Sequence, residues 1–362
     1  MLRKRDLARV AIIGGGIAGL TVALGRVRAG DQVTLLERER ELGGQLKTER
    51  DGGYVIEQGA EGFVASSQAL ESLAEELGIG ASLIGQLTLR SFGFDGRELV
   101  PLGPGEAAQF LGFQVSRRDL GRGIRAFARG MSEVVEAIVG ALGAHVDLRV
   151  GARVERLTRS GSGWRLMLPG STLDADHVVV ATGAHAAGTL LEPEFGAAAR
   201  ELARAETLSS VTVSLAYPRA AIAHPLDVTG FVVAEAAQLE GLRACTFTST
   251  KLAGRAPASQ ALLRAFFRPS DGDLEQLDEQ AWATRAERGI ARILAPSVRA
   301  ERTWVARWKS ALPVSDATHA ARVVALETAL SGSKIALAGA AFHGSGIDAA
   351  VRSARRAAAF DV

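Results

Sequence analysis

Apolar positions along this chain fall into two textures, short unbroken runs near both ends and period-two alternation in the middle. Ala8 to Ile13 is apolar and rich in β-branched residues, as a strand covered on both faces requires. From about Ile17 to Ala29 apolar residues suit a helix, Gly30-Asp31 ends it, and Val33 to Leu36 supplies a second strand. His177 to Ala181 and Lys334 to Ala341 repeat the first pattern, each a buried-type strand running into a glycine turn. Strand, glycine turn and helix at both ends predict an α/β, doubly wound sheet with its ligand crevice at the carboxyl ends of the strands.

The intervening chain reads as smaller elements. Gly53 to Phe63 is a short strand running into a glycine turn, and Ser67 is expected to cap a helix running through Leu77. Leu89 to Phe94 and Glu98 to Leu102 form a hairpin about Asp95-Gly96. A long helix is expected over about Leu120 to Leu142, then strands near Val146–Val150, Arg153–Leu157 and Trp164–Leu168. From Leu191 to Trp308 alternating strands near Ser210–Tyr217, Gly230–Ala234, Arg243–Thr248 and Ala261–Phe267 precede an acidic helix from Leu274 to Leu294. That pattern predicts a second, α+β domain on a mixed or antiparallel sheet.

Composition narrows the function. With 362 residues and 47% hydrophobic content there is ample core for two or three domains. A net charge of +2 gives no polyanion signal, so nucleic acid is not an expected partner. The single Cys245 excludes internal disulfides and a cysteine-based metal cluster and suits a reducing compartment, so a cytoplasmic location is expected. Met1 to Arg5 is basic, but the apolar run after it is the glycine-punctuated strand, not a signal peptide. No run approaches the ~20 uninterrupted apolar residues of a membrane span. The six histidines (145, 177, 185, 224, 319, 343) have no metal-ligand spacing, and no metal is expected.

The chemistry begins with Gly14-Gly15-Gly16-Ile17-Ala18-Gly19. Gly14 suits the tight turn, Gly16 lets the backbone approach phosphate, and Gly19 lets the helix pack close to the strand. Unpaired N–H groups of the helix start, Ile17 and Ala18 among them, face the anion. Glu37 closes the second strand near the spacing of about 20 residues at which a carboxylate accepts ribose hydroxyls. A dinucleotide is therefore the expected ligand.

Glu37-Arg38 through Gly43-Gly44-Gln45 to Thr48 resembles the double-glycine segment of flavoproteins related to amine oxidases, phytoene desaturases and protoporphyrinogen oxidases. Ala338 to Asp348, with Ser353 to Ala358 after it, resembles the closing motif of protoporphyrinogen oxidases. Ile56 to Gly62, Phe127 to Met131, Val154, Phe247 to Pro257, Trp308, Ala311 to Pro313 and His319 resemble further family segments in order. The resemblance implies FAD and a Rossmann-like FAD domain of residues 1–66, 127–190 and 310–362. Residues 67–126 and 191–309 would form the substrate domain. It places Gly14, Gly16, Ile17, Ala18, Gly19, Gly43, Gly44 and Gln45 at the diphosphate and Glu37 with Arg38 at the adenosine ribose. Val154 falls at the adenine, Thr182 and Gly183 at the central crevice, and Gly59, Ala60, Glu61 and Gly62 near the ring. Gly339, Ala340, Gly346 and Ile347 fall along the ribityl chain and ring.

The implied activity is that of an FAD-dependent oxidase or desaturase of the protoporphyrinogen oxidase type, desaturating a porphyrinogen-like macrocycle by hydride transfer to flavin N5, with dioxygen as acceptor and hydrogen peroxide as product. Specific catalytic residues are not fixed. Arg90 is the candidate for a substrate carboxylate, and His343 the candidate for contact with flavin or substrate. Lys251 lacks the context of the amine-oxidase lysine. With Tyr54 and Tyr217 the only tyrosines, an aromatic cage for an amine is not expected. Cys245 is far in sequence from the closing motif, so a cysteinyl flavin is not expected either.

Between Pro101–Gly105 and Phe127 about twenty residues stand where the family carries a large helical insert that forms its membrane-binding region and part of the cavity. Membrane association is therefore expected to be weak or absent. Two further readings follow from that gap, a tailoring oxidase of a smaller amine or heterocycle and a non-catalytic flavin-binding partner subunit.

Overall fold

The computed structural model describes residues 7–103, 106–107 and 122–359. Its first sheet has five parallel strands in the order Val146–Arg149, Gln32–Leu36, Arg9–Ile13, His177–Val180, Ile335–Leu337. Val10 pairs with Val33 on one side and His177 on the other, and Val178 pairs with Ile335. The alanine, valine, leucine and isoleucine runs are buried because helices cover both faces. The fingerprint helix Ile17–Arg28, helix Ser132–Leu142 and the terminal helix Gly346–Ala358 pack one face through Leu20, Val22, Val134, Ile138 and Val351. Helices Ala184–Ala203 and Ala317–Leu330 and a three-stranded antiparallel sheet cover the other through Trp164, Leu191 and Leu326. This is the Rossmann-like doubly wound arrangement.

The second sheet has seven strands in the order Arg302–Pro313, Thr207–Pro218, Gln260–Phe267, Leu242–Phe247, Gly230–Val233, Ser91–Phe94, Leu99–Leu102. All pairs are antiparallel except Gly230–Val233 with Ser91–Phe94, so the sheet is mixed. Period-two alternation gives it two unlike faces. Val211, Val213, Leu215, Leu263, Ala265 and Phe267 pack against Trp282, Ala286 and Ile290 of helix Glu279–Leu294. Thr212, Ser214, Thr246, Arg264 and Trp308 occupy the alternate positions, on the face that meets Gln58 and Gly59.

Three expected elements differ. The helix placed over Leu120–Leu142 is a strand, Ile124–Phe127, and a helix beginning at Ser132. Gly130, at φ +99°, breaks the chain between them, and positions 120–121 lie outside the described residues. The acidic helix divides at Asp278, whose extended backbone ends one segment while its carboxylate accepts Ala281 N–H at 2.8 Å to cap the next. Ser67 does not cap helix Ala69–Glu76. Asp348, from the far end of the chain, accepts the N–H groups of Ala69 at 2.8 Å and Leu70 at 3.3 Å instead. Helix Ala184–Ala203 was not anticipated, because Pro193 and the kink at Gly196 interrupt its pattern.

Candidate functional site

The fingerprint loop lies at the carboxyl end of the first strand and is built by four close approaches. Gly14, at φ +111°, donates its N–H to Leu36 O at 2.8 Å, and a Cβ there would stand 2.6 Å from Ala181 O. A Cβ on Gly19 would overlap the Gly14 carbonyl oxygen. Gly43 donates to Gly15 O at 2.8 Å, and the Cβ position of Gly44 lies 3.4 Å from Gly16 Cα. At Gly16 the backbone is extended and a Cβ would meet nothing within 4 Å. Gly14 and Gly19 are thus required for packing, whereas Gly16 faces open space.

That space has the polarity a diphosphate needs. The fingerprint helix begins at Gly16 with no side-chain cap and no acid in its first turn. Helix Ala184–Ala203 begins at Gly183, and the terminal helix at Ser345, also without a side-chain cap. All three follow strands of the parallel sheet, so their free N–H groups gather along its carboxyl edge. Glu37 lies across the loop, accepting Gly15 N–H at 2.6 Å and Glu39 N–H at 2.8 Å. Arg38 pairs with Glu39 at the surface. Ala152, on the segment leading to the half-buried Val154, donates to Glu37 O at 2.8 Å. Thr182 Cγ2 is 3.4 Å from the Cβ position of Gly14.

The C-terminal turn reaches the same crevice. Gly339, at φ +123°, places its Cβ position 3.5 Å from Ala18 Cβ in the first turn of the fingerprint helix. Gln45 donates to Ala311 O at 2.7 Å, and Ala60 donates to Gln45 O at 3.0 Å. The chain of contacts therefore runs from Gly16 through Gly44-Gln45 to Gly59-Ala60-Glu61.

At Glu61 the crevice meets the polar face of the seven-stranded sheet. Glu61 accepts from Lys251 Nζ at 2.6 Å and from the hydroxyls of Thr246 and Thr248, each at 3.3 Å. Arg264 donates to Gly59 O at 2.6 Å, and Trp308 Nε1 to Gln58 O at 2.7 Å. Beside them Glu57 accepts from Thr48 at 2.7 Å and from Met131 N–H at 2.8 Å, with Arg255 3.6 Å away. Burial works against charge on Glu61, yet Lys251, then Arg264, outweigh it and hold the carboxyl at about 2. For Glu57 burial wins and pushes the carboxyl up, although Arg255 and two hydrogen bonds oppose it. Burial lowers Arg264 and Arg255. The cluster keeps donors in reserve. Arg264 Nε and Arg255 Nε and Nη1 are buried and meet no acceptor among the described residues.

Sequence reasoning singled out Glu61, weighed Lys251 only against the amine-oxidase lysine, and did not single out Arg264. Lys251 is the ion-pair partner of Glu61, and Arg264 is its neighbour. The available signal was a lone arginine inside the apolar run Ala261–Phe267, which only a buried acceptor would tolerate. Arg90 lies away from this cluster, in an exposed pair with Asp227 at 2.7 Å. His343 turns behind the Gly339 turn, toward Glu327 and Ser353. Cys245 is buried on the apolar side of the sheet, where burial pushes its thiol up. No group of three or more metal-ligating side chains occurs among the described residues.

Residues 102–359 match the family description for flavin-containing amine oxidoreductases. The chain belongs to that family. It is an FAD-dependent oxidoreductase, and residues 12–77 also match the NAD(P)-binding Rossmann-like domain. Among curated relatives, coproporphyrinogen III oxidase of Propionibacterium freudenreichii is 31% identical over 237 residues, 65% of this chain but 44% of that protein. The enzyme of the same name from Bacillus subtilis is 23% identical over 446 aligned positions, 93% of this chain and 94% of that one. A provisionally assigned protoporphyrinogen oxidase from Exiguobacterium superposes with a TM-score of 0.83 at 22% identity, covering 97% and 98% of the two chains. Cyclohexylamine oxidase from Brevibacterium oxydans gives 0.74 at 17% identity, covering 98% of each. These two structures share the fold. No helix among the described residues is long and apolar enough to cross a membrane.

Proposed function

We propose that the chain is an oxidase or desaturase of the protoporphyrinogen oxidase type, acting on a porphyrinogen-like tetrapyrrole. The observation that carries this reading is the meeting of the Gly14–Gly19, Gly43-Gly44, Gly59–Gly62 and Gly339 turns beneath the polar face of a second sheet. The names of the curated relatives support the substrate class. Bound FAD supplies the hydride acceptor, at N5, and the route by which dioxygen is reduced to hydrogen peroxide.

The protein's part is position and polarity. Gly14 to Gly19 and Gly43 to Gln45 hold the diphosphate, and Glu37, fixed by two amides, presents its carboxylate to the ribose. Arg38 and Val154 flank the adenosine, and Thr182-Gly183 closes the middle of the crevice. Gly339, Ala340, Gly346 and Ile347 would line the ribityl chain, and Gly59 to Gly62, held by Lys251 and Arg264, would line the ring. Residues 1–66, 127–190 and 310–362 form the cofactor half on this reading, and 67–126 with 191–309 the substrate half. Arg90 is left as a rim cation rather than a cavity anchor.

Anaerobic stopped-flow mixing with coproporphyrinogen III or protoporphyrinogen IX tests the reading. Loss of the oxidised flavin band within the turnover time is expected, and an unbleached flavin with both removes it. The short stretch between Gly105 and Phe127 favours a second reading, a tailoring oxidase of a smaller amine or heterocycle. Peroxide release from such a panel, with no response to porphyrinogens, would replace the first reading with the second. Bound FAD that no substrate reduces would instead mark a non-catalytic partner subunit.

A further inference from the structure

His343 is the middle of a continuous hydrogen-bonded chain that runs outward from the Gly339 turn. Gly339 N–H donates to Ser353 Oγ at 3.0 Å, Ser353 Oγ lies 2.7 Å from His343 Nδ1, and His343 Nε2 lies 2.7 Å from Glu327 Oε1. Burial falls steadily along it. Ser353 is 1% exposed, the His343 side chain 20% and that of Glu327 44%. The outer members line a cavity of about 540 Å³ between helices Ala317–Leu330 and Gly346–Ala358, beyond the edge strand Ile335–Leu337.

For a neutral His343 ring the donor directions form one consistent set. An ionised carboxylate only accepts, so His343 Nε2 carries the proton directed at Glu327. Neutral imidazole then offers a lone pair at Nδ1. Ser353, already accepting from Gly339, turns its own O–H to that lone pair. Every donor points the same way, from the amide to the carboxylate. Such an arrangement is cooperative, because each bond polarises the next. The Gly339 turn is pinned elsewhere as well, with His343 N–H on Gly339 O at 3.3 Å and His319 Nε2 on Ala341 O at 2.8 Å.

We infer that Glu327, His343 and Ser353 are positioning residues that set the Gly339 amide, and through it the placement of FAD, from outside the flavin crevice. None of them touches the cofactor on this reading. The inference rests on the assignment of the Gly339 turn to FAD made above. It replaces direct contact by His343 with an indirect role.

The test titrates FAD into apoprotein carrying Glu327→Ala, Ser353→Ala or both, following flavin fluorescence and the visible spectrum, with apoprotein melting in parallel. One lost link of a polarised chain corresponds to about a fivefold weaker FAD affinity. Each single variant is expected to show that loss, with a displaced flavin absorption maximum, and the double variant the same fivefold rather than about twenty-fivefold, since one chain is broken twice. Glu327 is half-exposed, so Glu327→Ala keeps the apoprotein melting point of the wild type and gives a usable answer even if Ser353→Ala does not fold. Wild-type affinity and spectrum in Glu327→Ala, or additive losses in the double variant, overturn the inference while leaving the cofactor site standing. A wild-type apoprotein that takes up no FAD removes the cofactor reading and this inference with it.

Discussion

Gly16→Ala separates a glycine needed for the ligand from a glycine needed for the fold. At Gly16 the backbone has φ −74° and ψ 179°, a conformation any L-residue adopts, and an added Cβ meets no atom within 4 Å. The apoprotein should therefore keep its stability. The methyl group would instead occupy the space in which a phosphate oxygen approaches the first N–H groups of the helix. Losing one charge-assisted hydrogen bond there costs about 1.5–3 kcal/mol, or about 10- to 150-fold in FAD affinity. Gly19→Ala has the opposite signature, since its Cβ would overlap Gly14 O and force the helix from the strand. Fluorescence titration of apoprotein with FAD, alongside apoprotein melting curves, measures both. FAD affinity within threefold of wild type for Gly16→Ala, or a melting point as depressed as that of Gly19→Ala, would refute the separation.

The buried carboxylates give a pH dependence of definite sign. Glu61 titrates at about 2 in the folded chain against an ordinary 4.5, so its ionised form contributes about 3 kcal/mol, present above pH 4.5 and lost as the pH falls toward 2. Acid unfolding curves of wild type and Glu61→Gln should therefore converge below pH 4.5, and a constant offset down to pH 2 would contradict this. Lys251→Met leaves the Glu61 charge buried and should destabilise by about 3–5 kcal/mol in chemical denaturation, with much of that loss recovered in the Glu61→Gln, Lys251→Met double variant. Asp348→Ala removes the distant cap of helix Ala69–Glu76 and should cost about 1 kcal/mol, read as faster amide exchange at Ala69 and Leu70. The Cys245 thiol should stay unreactive toward Ellman's reagent until the chain unfolds.

Local chemistry determined much of this protein. The unbroken apolar runs required strands covered on both faces, and the alternating runs required a two-faced sheet, because side-chain period follows backbone geometry alone. Glycine spacing marked the crevice for a similar reason, since turns and close backbone approach are demanded within a few residues. Helix Ala184–Ala203 escaped because Pro193 and Gly196 disturb a periodicity that neighbouring Leu191 and Leu202 nevertheless satisfy by packing. The long helix expected over Leu120–Leu142 failed at Gly130, whose positive φ cannot be read from a pattern of apolar residues.

Tertiary structure alone decided who partners whom across long separations. Asp348 caps a helix that starts 279 positions earlier, and Lys251 neutralises a glutamate 190 positions away. Ser353 and Glu327 turn His343 away from the crevice. Such contacts arise only when elements distant in sequence pack together, because a polar group takes whichever partner the packing brings within reach. Sequence spacing carries no record of that choice.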